Sequence, residues 1–285
     1  MKKKKKIQLI VLISACILAT LFCLSFLEKQ NFIPVSQSTV TVKNKMDEAL
    51  RTHWLQCHSL NDDYIGEIIF DSDLVHLSFV QAKDVYREDG TLYRFYDENG
   101  SLITDPSGFN GNDVYIWTNW ETGEYDRNDT GGSVFVDYRN EMDDQNIIIY
   151  GHHFSKEFNP EGDKQFTPLD RLFEQENYET NKYLSLILDN TIRKYIITNI
   201  CLVDVYEEEQ IQILRTDPMS DLSGKKDANY KDHFFNMIDK ISCYQTGNKL
   251  NEKDRILTLI TCIEHQPQYR EAVICKQVEE IIYES

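Results

Sequence analysis

The chain is poor in the features that define several common protein classes. Its seven cysteines include no CxxC pair. Two of them, Cys16 and Cys23, fall inside an apolar run near the N-terminus. The five that remain, Cys57, Cys201, Cys243, Cys262 and Cys275, are odd in number. That excludes a complete disulfide framework and requires at least one free thiol. Among His152, His153, Cys262 and His265 the only pairing is that of the adjacent histidines, which is not the ligand spacing zinc sites use. No loop has EF-hand spacing, and no internal repeat is visible. Positive charge is also scarce: 30 Lys and Arg face 47 Asp and Glu, for a net charge of −17. Five of those lysines crowd positions 2–6, so the rest of the chain is more acidic still. Such a surface repels phosphates and excludes nucleic acid as a partner.

What remains is enough for a folded, β-rich protein. Of 285 residues, 41% are hydrophobic and 12% aromatic, with 16 tyrosines, which favours packed strands over disorder. The N-terminus divides sharply. Residues 1–6 read as a basic tail, and residues 7–27 carry no charge. At about 1.5 Å per residue this run is long enough to cross a hydrocarbon core of about 30 Å. Lysines before it and Glu28 after it orient such a helix with its N-terminus cytoplasmic and the rest of the chain outside. A cleaved signal peptide has a shorter apolar region. The ISAC run ending at Cys16 resembles a lipobox, but the apolar stretch continues well beyond that cysteine. An uncleaved transmembrane anchor over 7–27 is therefore the expectation. Residues 28–45 are polar and read as a stalk, and 46–285 as the extracytoplasmic domain.

Within that domain Met46, Leu50, Trp54 and Leu55 fit one face of a helix. IGEIIF and LVHLSFV read as strands split by Asp71-Ser72-Asp73. Residues 84–113 are loop-like, with turn signals DENG and GFNGND. Residues 133–137 and 146–150 read as strands. A short helix follows over 167–176, with Thr167 as cap and Pro168 at its first position. A hairpin turns at Asp189-Asn190. A polar stretch over 215–230 precedes a helix whose Phe234, Phe235, Ile238 and Ile241 share a face. Residues 255–261 and 272–282 close the set as strands. Strands separated by turns or short helices imply a mostly antiparallel barrel, not a doubly wound sheet.

Three chemically capable residues lie at or near the ends of β-type runs. Cys262 closes ILTLITC, His152 and His153 follow IIIYG, and Arg270 comes eight residues after Cys262. A thiolate attacks carbonyl carbon, an imidazole exchanges protons near neutrality, and a guanidinium stabilises an oxyanion. A buried structural cysteine and a salt-bridged surface arginine are the bland readings of the same residues. Glu264 and His265 follow the cysteine, where a solvated loop competes with substrate orientation.

IIIYGHH, LTLITC, and an arginine eight residues on before a Val-Ile strand together resemble the sortases, class B in particular. The resemblance extends to DDYIGEIIF, GGSVFVDYRN and the stretch from FFNMIDKISCYQTG to DRILTLITC, and so covers roughly residues 60–278. It implies a closed β-barrel with an N-terminal helix and a helix before the cysteine strand. It implies Cys262 as nucleophile and Arg270 as oxyanion and substrate stabiliser. The motif places its histidine directly after glycine, which selects His152 as acid/base and leaves His153 on the surface or a pocket wall. Tyr244, Thr246 and Glu264 are the implied substrate-binding residues. The implied activity is that of a membrane-anchored cysteine transpeptidase without cofactor or metal. It would cleave a C-terminal sorting motif of secreted proteins and pass the acyl group to a peptidoglycan-precursor amine. Departures from the pattern are Glu67 where a tryptophan is usual, the long 84–113 loop, and Cys275 and Lys276 after the arginine. Pilin polymerisation, simple hydrolysis and an inactive binding module are the alternatives. Peptidoglycan-cleaving cysteine hydrolases generally place cysteine before histidine, the reverse of the order here.

Overall fold

The apolar runs become strands that close on themselves. The computed structural model describes residues 38–86, 90–93, 95–96, 102–103, 105, 107–125 and 132–284. The main strands are β1 (Thr39–Lys43), β2 (Tyr64–Phe70) and β3 (His76–Gln81), then, after a small β4–β5 hairpin (Phe95–Tyr96, Leu102–Ile103), β6 (Val134–Val136) and β7 (Asn146–Tyr150). β8 (Tyr183–Ile187), β9 (Thr191–Asp204), β10 (Ile256–Cys262) and β11 (Tyr269–Tyr283) follow. The sheet order is β1-β11-β10-β7-β6-β3-β2-β8-β9, and a further β11–β9 pairing joins the ends. β1 lies outside that closure, so eight strands form the barrel. Most pairs are antiparallel, as expected, but β3–β6 and β7–β10 are parallel.

Alternation along each strand builds two apolar faces. Leu257 and Leu259 of β10, Val273 and Cys275 of β11, and Ile147 and Ile149 of β7 join the barrel interior with Ile68, Phe79 and Phe166. Ile256 and Ile260, Ala272 and Ile274, and Ile148 face the opposite way. That outer face is covered by a helix, α3 (Met237–Ile241), entered through a π turn at Lys231–Asn236. It buries Phe234, Met237 and Ile238 there, while Phe235 and Ile241 pack beside them.

Helix α1 (Glu48–Leu60) begins where Asp47 accepts from the amides of Ala49 and Leu50. It docks through Trp54 Nε1, which donates to Ile65 O at 2.9 Å. Its buried side is completed by Cys57, not by Leu55, which is 49% exposed. A position one residue past Trp54 lies about 100° around the helix from it. Glu67, at the place of the family's tryptophan, accepts from His53 Nε2 at 2.7 Å and His76 Nε2 at 2.6 Å. A carboxylate thus ties α1 to β3 where an indole would have packed.

Two expectations change at the edges. Residues 28–45, read as a stalk, include β1, which extends the sheet by pairing parallel with the end of β11. Its TVTVK sequence alternates too briefly, and with too little burial, to stand out from a polar linker. The helix at 167–176 is a 3₁₀ segment, Thr167–Phe173, with Phe166 at the cap position. Thr167 Oγ1 instead accepts from Phe154 N at 3.0 Å, so its side chain serves tertiary structure. Among the described residues no helix is long and apolar enough to cross a membrane. The tail at 1–6, the anchor expected over 7–27 and the stalk up to residue 37 lie outside the described residues.

Candidate active site

The parallel β7–β10 pair and the antiparallel β10–β11 pair meet at one end of the barrel. Ile260 pairs with Tyr150, and Gly151 N donates to Ile260 O at 3.1 Å. β7 ends at Tyr150, so His152 follows two residues past this last pair, as Cys262 closes β10 two residues past Ile260. On the other side of β10, Cys262 is directly opposite Arg270. Cβ atoms of such pairs lie about 4.5–5.5 Å apart. The nucleophile candidate therefore has the arginine as its cross-strand partner, while the histidine follows the strand on the other side of β10. Ile260, Ala272 and Ile148 fix the shared face as the outer one, toward α3.

Each member is held differently. Cys262 is exposed at the last position of β10 and is a free thiol. Cys243 is also exposed, while Cys57, Cys201 and Cys275 are buried. Burial pushes the Cys201 and Cys275 thiols far up, which removes them as nucleophiles at neutral pH. His152 is fixed at three points. Its backbone N donates to Gln165 Oε1 at 2.8 Å, and its carbonyl accepts from Phe166 N at 3.1 Å. Its Nε2 meets Ile116 O at 2.5 Å. A carbonyl can only accept, so Nε2 carries a proton and Nδ1 is the atom left to accept one in the neutral ring. Burial holds the His152 pKa below the usual imidazole value, and the Ile116 carbonyl opposes that shift only in part. The Trp117 ring lies 5.0 Å away, tilted by 39°. Arg270 Nη1 donates to Pro267 O and Tyr269 O, each at 2.8 Å. This anchors the guanidinium to its own loop while Nε and Nη2 keep their donors.

The remaining candidates are placed as follows. Glu264, in the loop after Cys262, accepts from Lys156 N at 3.3 Å and lies 3.4 Å from His265 Nε2. It thereby connects the cysteine loop to the loop after His152. The hydroxyl of Tyr244 donates to Leu172 O at 2.6 Å, and that of Thr246 to Thr198 O at 2.6 Å. These two bonds tie the segment after α3 to the barrel. Arg255 sits before the first residue of β10, at the end away from Cys262, and Arg139 is paired with buried Asp137 at 2.8 Å. Of the two positions expected for His153, surface or pocket wall, the surface one does not hold: its side chain is 3% exposed and Nε2 meets Asp170 Oδ2 at 2.8 Å. It lies past the end of β7, and its side chain is turned toward the 3₁₀ segment that carries Asp170.

Ile116, Trp117, Gln165 and Phe166 hold the histidine, and sequence reasoning did not single them out. They lie 13 or more residues from His152 in the chain and carry no motif. A polar cavity of about 620 Å³, lined by Asp63, Tyr115, Trp120 and Glu121 among others, contains none of Cys262, His152 and Arg270. Among the described residues no group of three or more His, Cys, Asp or Glu can hold a metal ion.

No family model and no curated protein matches this sequence. Solved structures do. Sortase B of Clostridium perfringens is 24% identical with a TM-score of 0.55, covering 79% of this chain and 98% of its own. A sortase B–substrate complex of Staphylococcus aureus is 21% identical with a TM-score of 0.57, covering 80% of this chain and 86% of its own. Sortase B of B. anthracis is 20% identical with a TM-score of 0.53, covering 83% of this chain and 88% of its own. A sortase B complexed with triglycine also matches, at 21% identity. The chain has the fold of the class B sortases.

Proposed function

We propose that this protein is a membrane-anchored cysteine transpeptidase that joins secreted proteins to a cell-wall amine. The observation that supports the reading is that exposed Cys262 closes β10 directly opposite Arg270, with His152 two residues past the end of neighbouring β7. The Cys262 thiolate adds to a backbone carbonyl of a C-terminal sorting motif. The carbonyl oxygen becomes an oxyanion beside the Arg270 guanidinium, which stabilises it electrostatically. The C–N bond breaks, the departing amine takes a proton from His152, and a thioester remains on Cys262. An incoming amine then adds to the thioester and loses its proton to His152. The C–S bond breaks, and a new amide leaves. No redox step or cofactor is needed. Burial of His152 keeps its proton easy to release, and the bond to Ile116 holds the ring in place for both transfers. The triglycine bound by a related sortase B supports an oligoglycine-like or similar primary amine as acceptor. A match to a sortase B of a type II pilus, at 20% identity and a TM-score of 0.50, keeps a protein lysine as the second acceptor reading. The apolar segment at 7–27 would place this chemistry at the outer membrane surface.

The test is to incubate the full chain, solubilised in detergent, with quenched sorting-signal peptides, with and without triglycine or a lysine amide. Products are read by mass spectrometry. An acyl adduct on Cys262, and ligation when amine is added, support the reading and name the motif. Cleavage with water as the only acceptor, however much amine is supplied, would convert the assignment to a hydrolase.

A further inference from the structure

Directly behind the site lies a second set of polar residues, of which the strand residues Thr261 and Glu271 face the barrel interior. Thr261, His153 and Glu271 are each one residue away from Cys262, His152 and Arg270. Thr261 and Glu271 are cross-strand partners on β10 and β11. Glu271 is 0% exposed, and neither of its carboxylate oxygens has a hydrogen-bond partner. The Thr261 hydroxyl is likewise buried and unpartnered. The groups facing Glu271 are few. From the 3₁₀ segment comes Asp170, itself bound to His153. From the segment after α3 come Cys243 and Tyr244. From β9 comes Leu202, 36% exposed at the rim. Arg270 points to the other face. A fully buried carboxylate with no partner and an acidic neighbour is strongly disfavoured, so the acid holds its proton.

We propose that Glu271 is a positioning residue, a neutral carboxylic acid that seats the Cys262–Arg270 end of the β10–β11 pair, and that its ionisation unseats that end. The inference rests on Cys262 being the working nucleophile. A charged Glu271 is repelled by Asp170 and reaches water only by moving toward the rim near Leu202. It is the third residue of β11, so that movement displaces Arg270 directly and Cys262 through its strand partner. Turnover therefore falls on the alkaline side as this proton is lost, independently of His152.

The experiment compares the full chain with Glu271→Gln, which keeps the shape of the neutral acid. Infrared difference spectroscopy reads the carbonyl stretch of a protonated carboxyl, present in the wild type at neutral pH and absent from the variant. Iodoacetamide labelling of Cys262 and peptide turnover are both followed against pH. The variant is expected to stay within a few-fold of wild-type turnover at neutral pH, with its alkaline limb displaced upward by about one pH unit or more. Absence of a protonated-carboxyl band at neutral pH overturns the proposal, as does an alkaline limb identical in the two proteins. If neither protein turns over any peptide, the transpeptidase reading fails, while the infrared band and the labelling profile still decide the role of Glu271.

Discussion

Gly151→Ala is the sharpest perturbation this site offers. A Cβ at position 151 would lie 2.6 Å from Phe166 Cδ2, 2.7 Å from Cγ and 3.1 Å from Cε2. Carbon atoms pack at about 3.5–4.0 Å, so something must move by about 1 Å. Phe166 is 0% exposed within the barrel core and has little room. Gly151 N is bonded to Ile260 O, and the next residue is His152, pinned at N by Gln165 and at O by Phe166 itself. The clash therefore falls between the core and the proposed acid/base. Overpacking of this kind costs about 1–3 kcal/mol. A 1 Å misplacement of a catalytic group costs about 10²-fold in rate. We expect Gly151→Ala to lose about 1–3 kcal/mol in urea unfolding and about 10²-fold in kcat/KM for peptide cleavage. Adding Phe166→Leu should restore activity in part, because it removes ring atoms that the new methyl meets. A Gly151→Ala protein with wild-type stability and turnover would refute the argument that this glycine exists to let the histidine strand approach the core.

Other expectations follow from burial and pairing. Cys262→Ala should abolish turnover, whereas Cys275→Ala should keep most of it and cost about 1 kcal/mol of stability. Iodoacetamide should label Cys262 and Cys243 in the folded chain and spare Cys57, Cys201 and Cys275, and mass spectrometry of the labelled peptides checks this. His152→Ala should remove turnover with little loss of stability. His153→Ala should keep most turnover and cost about 1 kcal/mol or less, because Asp170 is half exposed and water can replace the bond. Equal loss of turnover in the two would undo the assignment. The His152 imidazole should titrate below the usual value of about 6.5 by NMR. Its stabilising contribution is complete above that unfolded value, declines as pH falls below it, and is gone once the pH passes the folded pKa. Titration above about 6.5 would contradict burial as the governing cause.

The barrel was legible in the sequence, and the trio was proposed from it. Period-two apolar runs set most strands, and the ends of those runs mark where a side chain leaves the core for the rim. Cys262, His152 and Arg270 were legible because each closes or follows such a run. That Cys262 and Arg270 are cross-strand partners was not read from the sequence and emerged from the β10–β11 register. Only the tertiary structure decided that β7 and β10 run parallel, which is what brings His152 alongside. It also supplied the Ile116 carbonyl, Gln165 and Trp117, because contacts between distant segments leave no period or motif in one chain. The strand at Thr39–Lys43 was hidden for a related reason: an edge strand is stabilised by the partner it finds, not by its own apolar content. The burial of His153 and Glu271 was beyond sequence reading altogether. A polar side chain signals water when read alone, and only closure of the barrel end shows that these two were taken away from it.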